Sequence, residues 1–167
     1  LYVGHALDAN EYFWFEDPIP ANDIASICEL TNRLKTPLNM SDSTGFLFHE
    51  AANFIQMNAV RLIRGTVRKI GITGLKKQMS LVEGFNKFCE IGLAGNSALN
   101  AANLHVMMSS INCTYFEYWL PKEVHQWGVT KQLEIDQNGN LKAPTGPGLG
   151  IELDEDWISS HKVATLS

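Results

Sequence analysis

The sequence contains 167 residues, 45% hydrophobic and 19% charged, which is enough apolar material for a buried core. The formal net charge is −5 and the thirteen basic residues are scattered, which argues against nucleic-acid-binding and polybasic membrane-binding surfaces. No apolar run reaches the roughly 20 residues that span a bilayer, and the chain does not open on a signal-peptide pattern.

The three cysteines, Cys28, Cys89 and Cys113, are odd in number and lack CxxC spacing. This pattern favours buried thiols in a reducing compartment over disulfides or a zinc site. We therefore expect a cytoplasmic protein without membrane or nucleic-acid partners.

Up to about residue 121 the chain repeats one unit, a short β-prone run followed by a helical pattern. Successive runs start 22 to 30 residues apart, the length of a strand with its crossover helix. The predicted strands are Tyr12–Phe15, Pro37–Met40, Ala59–Ile63, Cys89–Leu93 and Thr114–Tyr118. The predicted helices begin after Asn22, at Ser43 or Thr44, at about Thr73 and near Ser97.

From about residue 122 to residue 167 the repeat is absent. Gln132–Asp136 and Asn140–Ala143 flank an Asn-Gly pair, which predicts a hairpin, and the remainder is predicted to be a closing tail. No linker divides the chain, so we treat residues 1–167 as one domain.

Strands that alternate with helices predict an α/β fold with a parallel sheet and right-handed crossovers. No GxGxxG or phosphate-binding loop marks the switch point of an open, doubly wound sheet. Half of a (β/α)₈ barrel fits the repeat, but a whole barrel needs about 250 residues. We therefore expect the remaining half to come from preceding residues or from another chain.

Acidic side chains follow two neighbouring predicted strands, where barrel enzymes carry their reactive groups. Glu16 ends the first strand and Asp42 follows the second. Two convergent carboxylates suit a hard cation such as Mg²⁺. Alternatively, each is a helix N-cap or a surface acid that the dipole of the next helix stabilises.

Six motifs in order resemble the C-terminal half of the barrel in the mandelate racemase and muconate-lactonising group of the enolase superfamily. They cover almost the whole chain. They are FEDPIP (15–20), Asn39-Met40-Ser41-Asp42, AVRLIRGTVRKIGITG (59–74), CEIGLAGNSALNAANLHV (89–106), TYFEYWLP (114–121) and PTGPGLGIELDEDW (144–157).

This resemblance implies barrel strands four to eight with their helices, while the capping domain and strands one to three are absent from this chain. It also implies that Mg²⁺ is bound by Glu16 and Asp42, with a third ligand and paired lysines before Leu1. The implied reaction is removal of the α-proton of a small carboxylate or acid sugar, as in dehydratases, racemases and epimerases. A homo-oligomer is expected.

The acid–base dyad of the racemases is missing from the matching positions. The family's Asp position is Thr66, and its His position is Gly92 or, in a shifted alignment, Asn96. A threonine hydroxyl is not a general base near neutral pH without an activating partner. The base is therefore unassigned, and a diverged, non-catalytic member that keeps part of the metal site is the alternative.

Three further residues are candidates for substrate binding. Arg64 could pair with an anionic substrate or with a neighbouring strand-end acid. Asn96 could bind substrate hydroxyls, and Glu117 could contact substrate or form an interior ion pair with Arg61 or Arg64. The loop Gly92–Ser97 could hold an anion or phosphate on its N–H groups, or it could be a turn capped by Ser97.

Overall fold

The computed structural model describes residues 1–40, 48–93 and 95–165. Within these ranges, four strands form one parallel sheet in the order β1-β2-β3-β4. They are β1 (Phe15–Glu16), β2 (Leu38–Met40), β3 (Leu62–Gly65) and β4 (Phe88–Ile91).

The described residues also form six α-helices and one 3₁₀ turn. They are α1 (Tyr2–Ala9), α2 (Ile24–Arg33), α3 (Phe48–Gln56), α4 (Val67–Gly84), α5 (Ser97–Met108), the 3₁₀ turn Lys122–Val124 and α6 (Glu155–Ser160). Within the described ranges, no helix combines the length and hydropathy that crossing a bilayer requires.

Strand order separates a barrel from an open sheet. The four strands follow one another in chain order without a reversal, and α3, α4 and α5 pack side by side in sequence. A doubly wound sheet would reverse its order at a switch point. The observed order is therefore that of one arc of a (β/α)₈ barrel, which confirms the predicted fold class.

The hydrophobic core lies between the sheet and its helices. Leu38, Met40 and Ile63 from the strands are fully buried against Ile27 of α2 and Leu75 of α4. Because side chains alternate along a strand, Asn39, Leu62 and Arg64 project to the opposite face, which is the interior of the barrel. This alternation separates the packing residues from the residues that can do chemistry.

The predicted strand bounds are shifted relative to the observed ones. Tyr12 and Phe13 are exposed and precede β1, and β3 begins three residues after the predicted start. Pairing with a neighbour, rather than apolar character alone, decides where a strand begins. Helix α1 was not predicted.

The fifth predicted strand, Thr114–Tyr118, does not form a ladder with β4. The carboxylate of Glu90, fully buried on β4, accepts the backbone N–H groups of Thr114 and Tyr115 at 3.1–3.2 Å. One backbone bond, Cys89 N to Asn112 O at 2.8 Å, joins this segment to the sheet. The Glu90 side chain thus occupies backbone N–H groups that would otherwise pair with β4 in a β-ladder.

Helix starts also differ from the predicted ones in detail. Asp23 rather than Asn22 caps α2, and Asn96 rather than Ser97 caps α5. Helix α4 starts at Val67, is interrupted at Gly71 (φ 66°), and continues through the predicted region. The predicted reversal at Asn138-Gly139 forms, with Ile135 paired to Leu141 and Gly139 at φ 79°.

Candidate active site

Glu16 and Arg64 form a two-pronged ion pair at the carboxyl ends of the strands. Arg64 donates from Nε to Oε1 at 2.9 Å and from Nη2 to Oε2 at 2.5 Å. The Trp14 indole N–H donates to Oε2 at 3.2 Å, and the Trp14 ring lies 5.6 Å from the guanidinium carbon. The ion pair, bidentate and flanked by an aromatic ring, fixes the carboxylate in one orientation.

Glu117 is a second acid that approaches the Arg64 guanidinium. Its Oε2 accepts the Leu93 backbone N–H at 2.7 Å and lies 3.9 Å from Arg64 Nη2, while Oε1 accepts the Trp119 indole N–H at 3.0 Å. We call Trp14, Glu16, Arg64 and Glu117 the mouth cluster. Two acids flank one buried arginine in it, so the pairing alternative for both Arg64 and Glu117 is observed.

Strand register explains why these side chains meet. Glu16 is level with Asn39, and Asn39 with Leu62, two residues before Arg64 on the same face of β3. The long arginine side chain therefore reaches across β2 to β1. Glu16 ends its strand and its side chain is 32% exposed, whereas that of Arg64 is 7% exposed. The cluster is anchored in the interior and open at the mouth.

The two dyad positions have structural roles. Thr66 is buried and caps α4, with its Oγ1 accepting the Arg68 N–H at 3.4 Å. Asn103 of α5 donates to the Gly92 carbonyl at 2.8 Å and to Thr66 Oγ1 at 3.4 Å, and accepts the Val67 N–H at 2.9 Å. The Asn103 amide thus links the backbone that follows β3, at Val67, to the backbone that follows β4, at Gly92.

The other predicted site residues have different outcomes. Asn96 caps α5 by accepting the Leu99 N–H at 3.0 Å, so its carbonyl oxygen is engaged within its own helix. Its substrate-binding role stays a prediction. Asp42, the second predicted metal ligand, lies outside the described residues.

The fit of a divalent cation depends on Glu16. A carboxylate offers about four lone-pair sites, of which Arg64 and Trp14 take three, which leaves one for a metal. Glu16 therefore fits a monodentate ligand of a hard cation. Within the described ranges, no group of three or more His, Cys, Asp or Glu side chains could hold a metal, so Glu16 would need additional ligands of another type or from other parts of the protein.

The sequence alone did not point to Trp14, Trp119 or Asn103 as part of this region. Trp14 lies within the predicted strand Tyr12–Phe15, and its indole N–H donates to the predicted metal ligand Glu16. The motif FEDP begins directly after Trp14, which was the available signal. Asn103 lies in a helical run of small residues with no local mark of its contacts.

The three cysteines are free thiols, of which Cys89 is buried as predicted while Cys28 and Cys113 are partly exposed. Burial raises the pKa of the Cys89 thiol far above its usual range and that of Cys113 to about 12. Neither thiol is therefore a thiolate near neutral pH, and neither is a candidate nucleophile.

Comparison with known families agrees with this arrangement. The model of the enolase C-terminal domain-like family matches residues 1–157. The chain belongs to this family. The resemblance that the six motifs predicted is confirmed, and solved structures of mandelate racemase/muconate lactonizing enzymes share the fold.

Individual relatives cover nearly all of the chain. A D-mannonate dehydratase of Caulobacter vibrioides is 28% identical over 164 residues, 95% of this chain and 40% of the relative. A structure from a Pseudovibrio species, provisionally assigned as a mandelate racemase/muconate lactonizing enzyme, has a TM-score of 0.93 at 25% identity and covers 98% of this chain and 44% of that one.

A third relative carries a metal. The structure of D-glucarate dehydratase from Agrobacterium tumefaciens, complexed with magnesium, is 27% identical with a TM-score of 0.82 and covers 98% of this chain and 43% of that one. The chain spans about 40% of the length of the curated relatives that it matches.

Proposed function

We propose that the chain supplies the C-terminal barrel half of a Mg²⁺-dependent enzyme that dehydrates an acid sugar. The observation that carries this proposal is the mouth cluster, in which Glu16, the first acid of the family's strand-four motif, is oriented at the mouth by Arg64. The relatives that are D-mannonate and D-xylonate dehydratases favour dehydration over racemisation or epimerisation.

In this proposal, each candidate site residue of the chain has a separate role. Glu16, with Asp42, would hold the cation, which when bound would neutralise charge on the substrate carboxylate as its α-proton leaves. Arg64 would keep the Glu16 carboxylate in place and offset its charge. Glu117, held by two N–H donors, would accept a hydrogen bond from a substrate hydroxyl.

The proton-abstracting base is assigned to a residue outside the described part of the chain. Thr66 is 1% exposed and its hydroxyl caps α4, and Gly92 has no side chain. Neither can take the α-proton. Asn96 accepts a helix N–H, which is a role for a neutral amide.

The same observations favour one alternative. Thr66 caps α4, and Gly92 contributes only its backbone carbonyl to a hydrogen bond with Asn103. Because neither dyad position offers an acid or a base, the protein could be a binding protein that keeps part of the metal site. Such a protein would bind the cation and an acid sugar without releasing water from it. Homo-oligomeric assembly and cytoplasmic location stay predictions.

The experiment uses the complete gene product and a panel of aldonic and aldaric acids, with formation of 2-oxo-3-deoxy acids followed by semicarbazide. We expect at least one acid to react with Mg²⁺ and not with EDTA. Glu16→Gln should lower the rate at least about 100-fold, whereas Glu29→Gln, at an exposed acid paired with Arg33, should not change it. Binding of cation and acid sugar without product would instead support the alternative.

A further inference from the structure

Asn39 is a fully buried amide whose polar atoms have no partners. The residue is 0% exposed, and neither Nδ2 nor Oδ1 makes a hydrogen bond in the part of the chain that the structure describes. Buried side-chain amides are nearly always paired, because they lose their bonds to water on burial. A site with both ends unpaired therefore requires an explanation.

The position of Asn39 indicates what it faces. It lies on β2 between Leu38 and Met40, which are buried in the core on the helix side. The Asn39 side chain therefore projects to the barrel interior. Its register partner on β1 is Glu16, so the amide and the carboxylate are lateral neighbours on one face of the sheet.

A carboxamide oxygen is a hard, neutral donor of the kind that accompanies carboxylates around divalent cations. Neighbouring strands lie about 4.8 Å apart, and two oxygens on one Mg²⁺ each lie about 2.1 Å from it. Register neighbours on one face can therefore ligate the same ion. An ion between Asn39 and Glu16 would use the orphaned Oδ1, and Nδ2 could donate to a substrate oxygen beside it.

We propose that Asn39 is an oxygen ligand of the divalent cation beside Glu16. This inference rests on the proposed function, since it assumes that Glu16 binds a cation. Asn39 adds no charge to the ligand set, and Arg64 already offsets that of Glu16. The site would then select its cation by oxygen geometry as well as by charge.

The test measures Mn²⁺ binding, not activity, in the complete gene product. Free Mn²⁺ is followed by electron paramagnetic resonance, with Mg²⁺ as competitor, and thermal unfolding is followed in EDTA. Asn39→Leu removes the oxygen at nearly constant volume and should weaken Mn²⁺ binding at least about tenfold. It should not lower the melting temperature in EDTA, because an unpaired buried amide is lost.

Two further variants keep the test decisive. Asn39→Asp retains the oxygen and adds charge, so it should bind Mn²⁺ at least about threefold more tightly. If Asn39→Leu does not fold, the Mn²⁺ affinity of Asn39→Asp decides whether Asn39 is a ligand, and an affinity no higher than that of the wild type would count against it. Asn112→Leu is the control. Asn112 is also a buried asparagine with one unpaired atom, its Oδ1. Its Nδ2 donates to the carbonyl of Met79 on α4 at 3.0 Å, away from the mouth cluster. Asn112→Leu should lower stability and leave Mn²⁺ affinity unchanged.

Each contrary result has a distinct meaning. Wild-type Mn²⁺ affinity in Asn39→Leu overturns the role of Asn39 and leaves the proposed function standing. A lower melting temperature in EDTA with unchanged affinity overturns it too, and shows that another part of the protein pairs with the amide. If the wild-type protein binds neither Mn²⁺ nor Mg²⁺, both proposals fail.

Discussion

Arg64 is a buried cation, and each of its described contacts offsets the cost of removing it from water. The two bonds to Glu16, the approach of Glu117 and the face of Trp14 surround the guanidinium. A planar guanidinium suits this role because its fork matches a carboxylate, which a lysine ammonium cannot do. The consequence is a carboxylate with one orientation before any ligand arrives.

Replacing Arg64 should therefore cost stability as well as function. We expect Arg64→Gln to lower the free energy of unfolding by on the order of 2 kcal/mol, because it leaves Glu16 without its buried partner. Arg33→Gln, which breaks an exposed pair with Glu29, should cost less than about 0.5 kcal/mol. Urea unfolding of both variants measures the difference, and equal losses would show that burial of Arg64 is unimportant.

At the scale of elements, the loops of the mouth are held by side chains of the following helices. Asn103 lies in α5, yet it bonds backbone groups of the loops after both β3 and β4. Helix α1 is held in a similar way, because the Asp8 carboxylate accepts the backbone N–H of Thr36 at 2.7 Å. Both contacts link parts of the chain that are distant in sequence.

Loss of the Asn103 amide should release both loops at once. Asn103→Ala leaves the Val67 N–H and the Gly92 carbonyl buried and unpaired, and it should lower the free energy of unfolding by about 2–4 kcal/mol. Asn103→Asp keeps an acceptor for Val67 and should cost less at neutral pH than Ala. Chemical unfolding of the two variants checks the order, and a reversed order would contradict the assigned contacts.

The stability that the hydrogen bond between Thr36 N–H and the Asp8 carboxylate contributes should depend on pH. The Thr36 backbone N–H lowers the pKa of the Asp8 carboxyl from 3.8 to about 2. Because the folded-state pKa lies below the unfolded one, the stabilisation is complete above about pH 4 and is lost as pH falls towards 2. The stability difference between wild type and Asp8→Asn, from urea midpoints, should shrink across this window. A constant difference would contradict the assignment.

For the whole molecule, the family and the repeating β/α units could be predicted because both depend on local pattern. The stripe containing Ile27 and Leu30 forms the buried face of α2, and the motif order fixed the barrel half. Strand bounds could not be predicted, since β1 is only Phe15–Glu16 and its limits depend on pairing with β2.

Three of the four residues of the mouth cluster were candidates from the sequence, and their functional roles stay predictions. Glu16, Arg64 and Glu117 were all candidates, but the choice between substrate binding and mutual pairing depends on a register that spans three strands. Asn103 was missed because its contacts lie 11 and 36 residues away in sequence. Such partners become visible only when the chain is folded.

The most direct test of the proposed dehydratase activity is exchange of the substrate α-proton in D₂O, followed by NMR on the complete gene product with each acid sugar of the panel. If the protein is a Mg²⁺-dependent dehydratase, at least one acid sugar should undergo exchange or dehydration that requires Mg²⁺ and is lost in Glu16→Gln. An absence of both exchange and dehydration on every acid sugar that binds, with Mn²⁺ binding demonstrated in the same sample, would contradict a dehydratase.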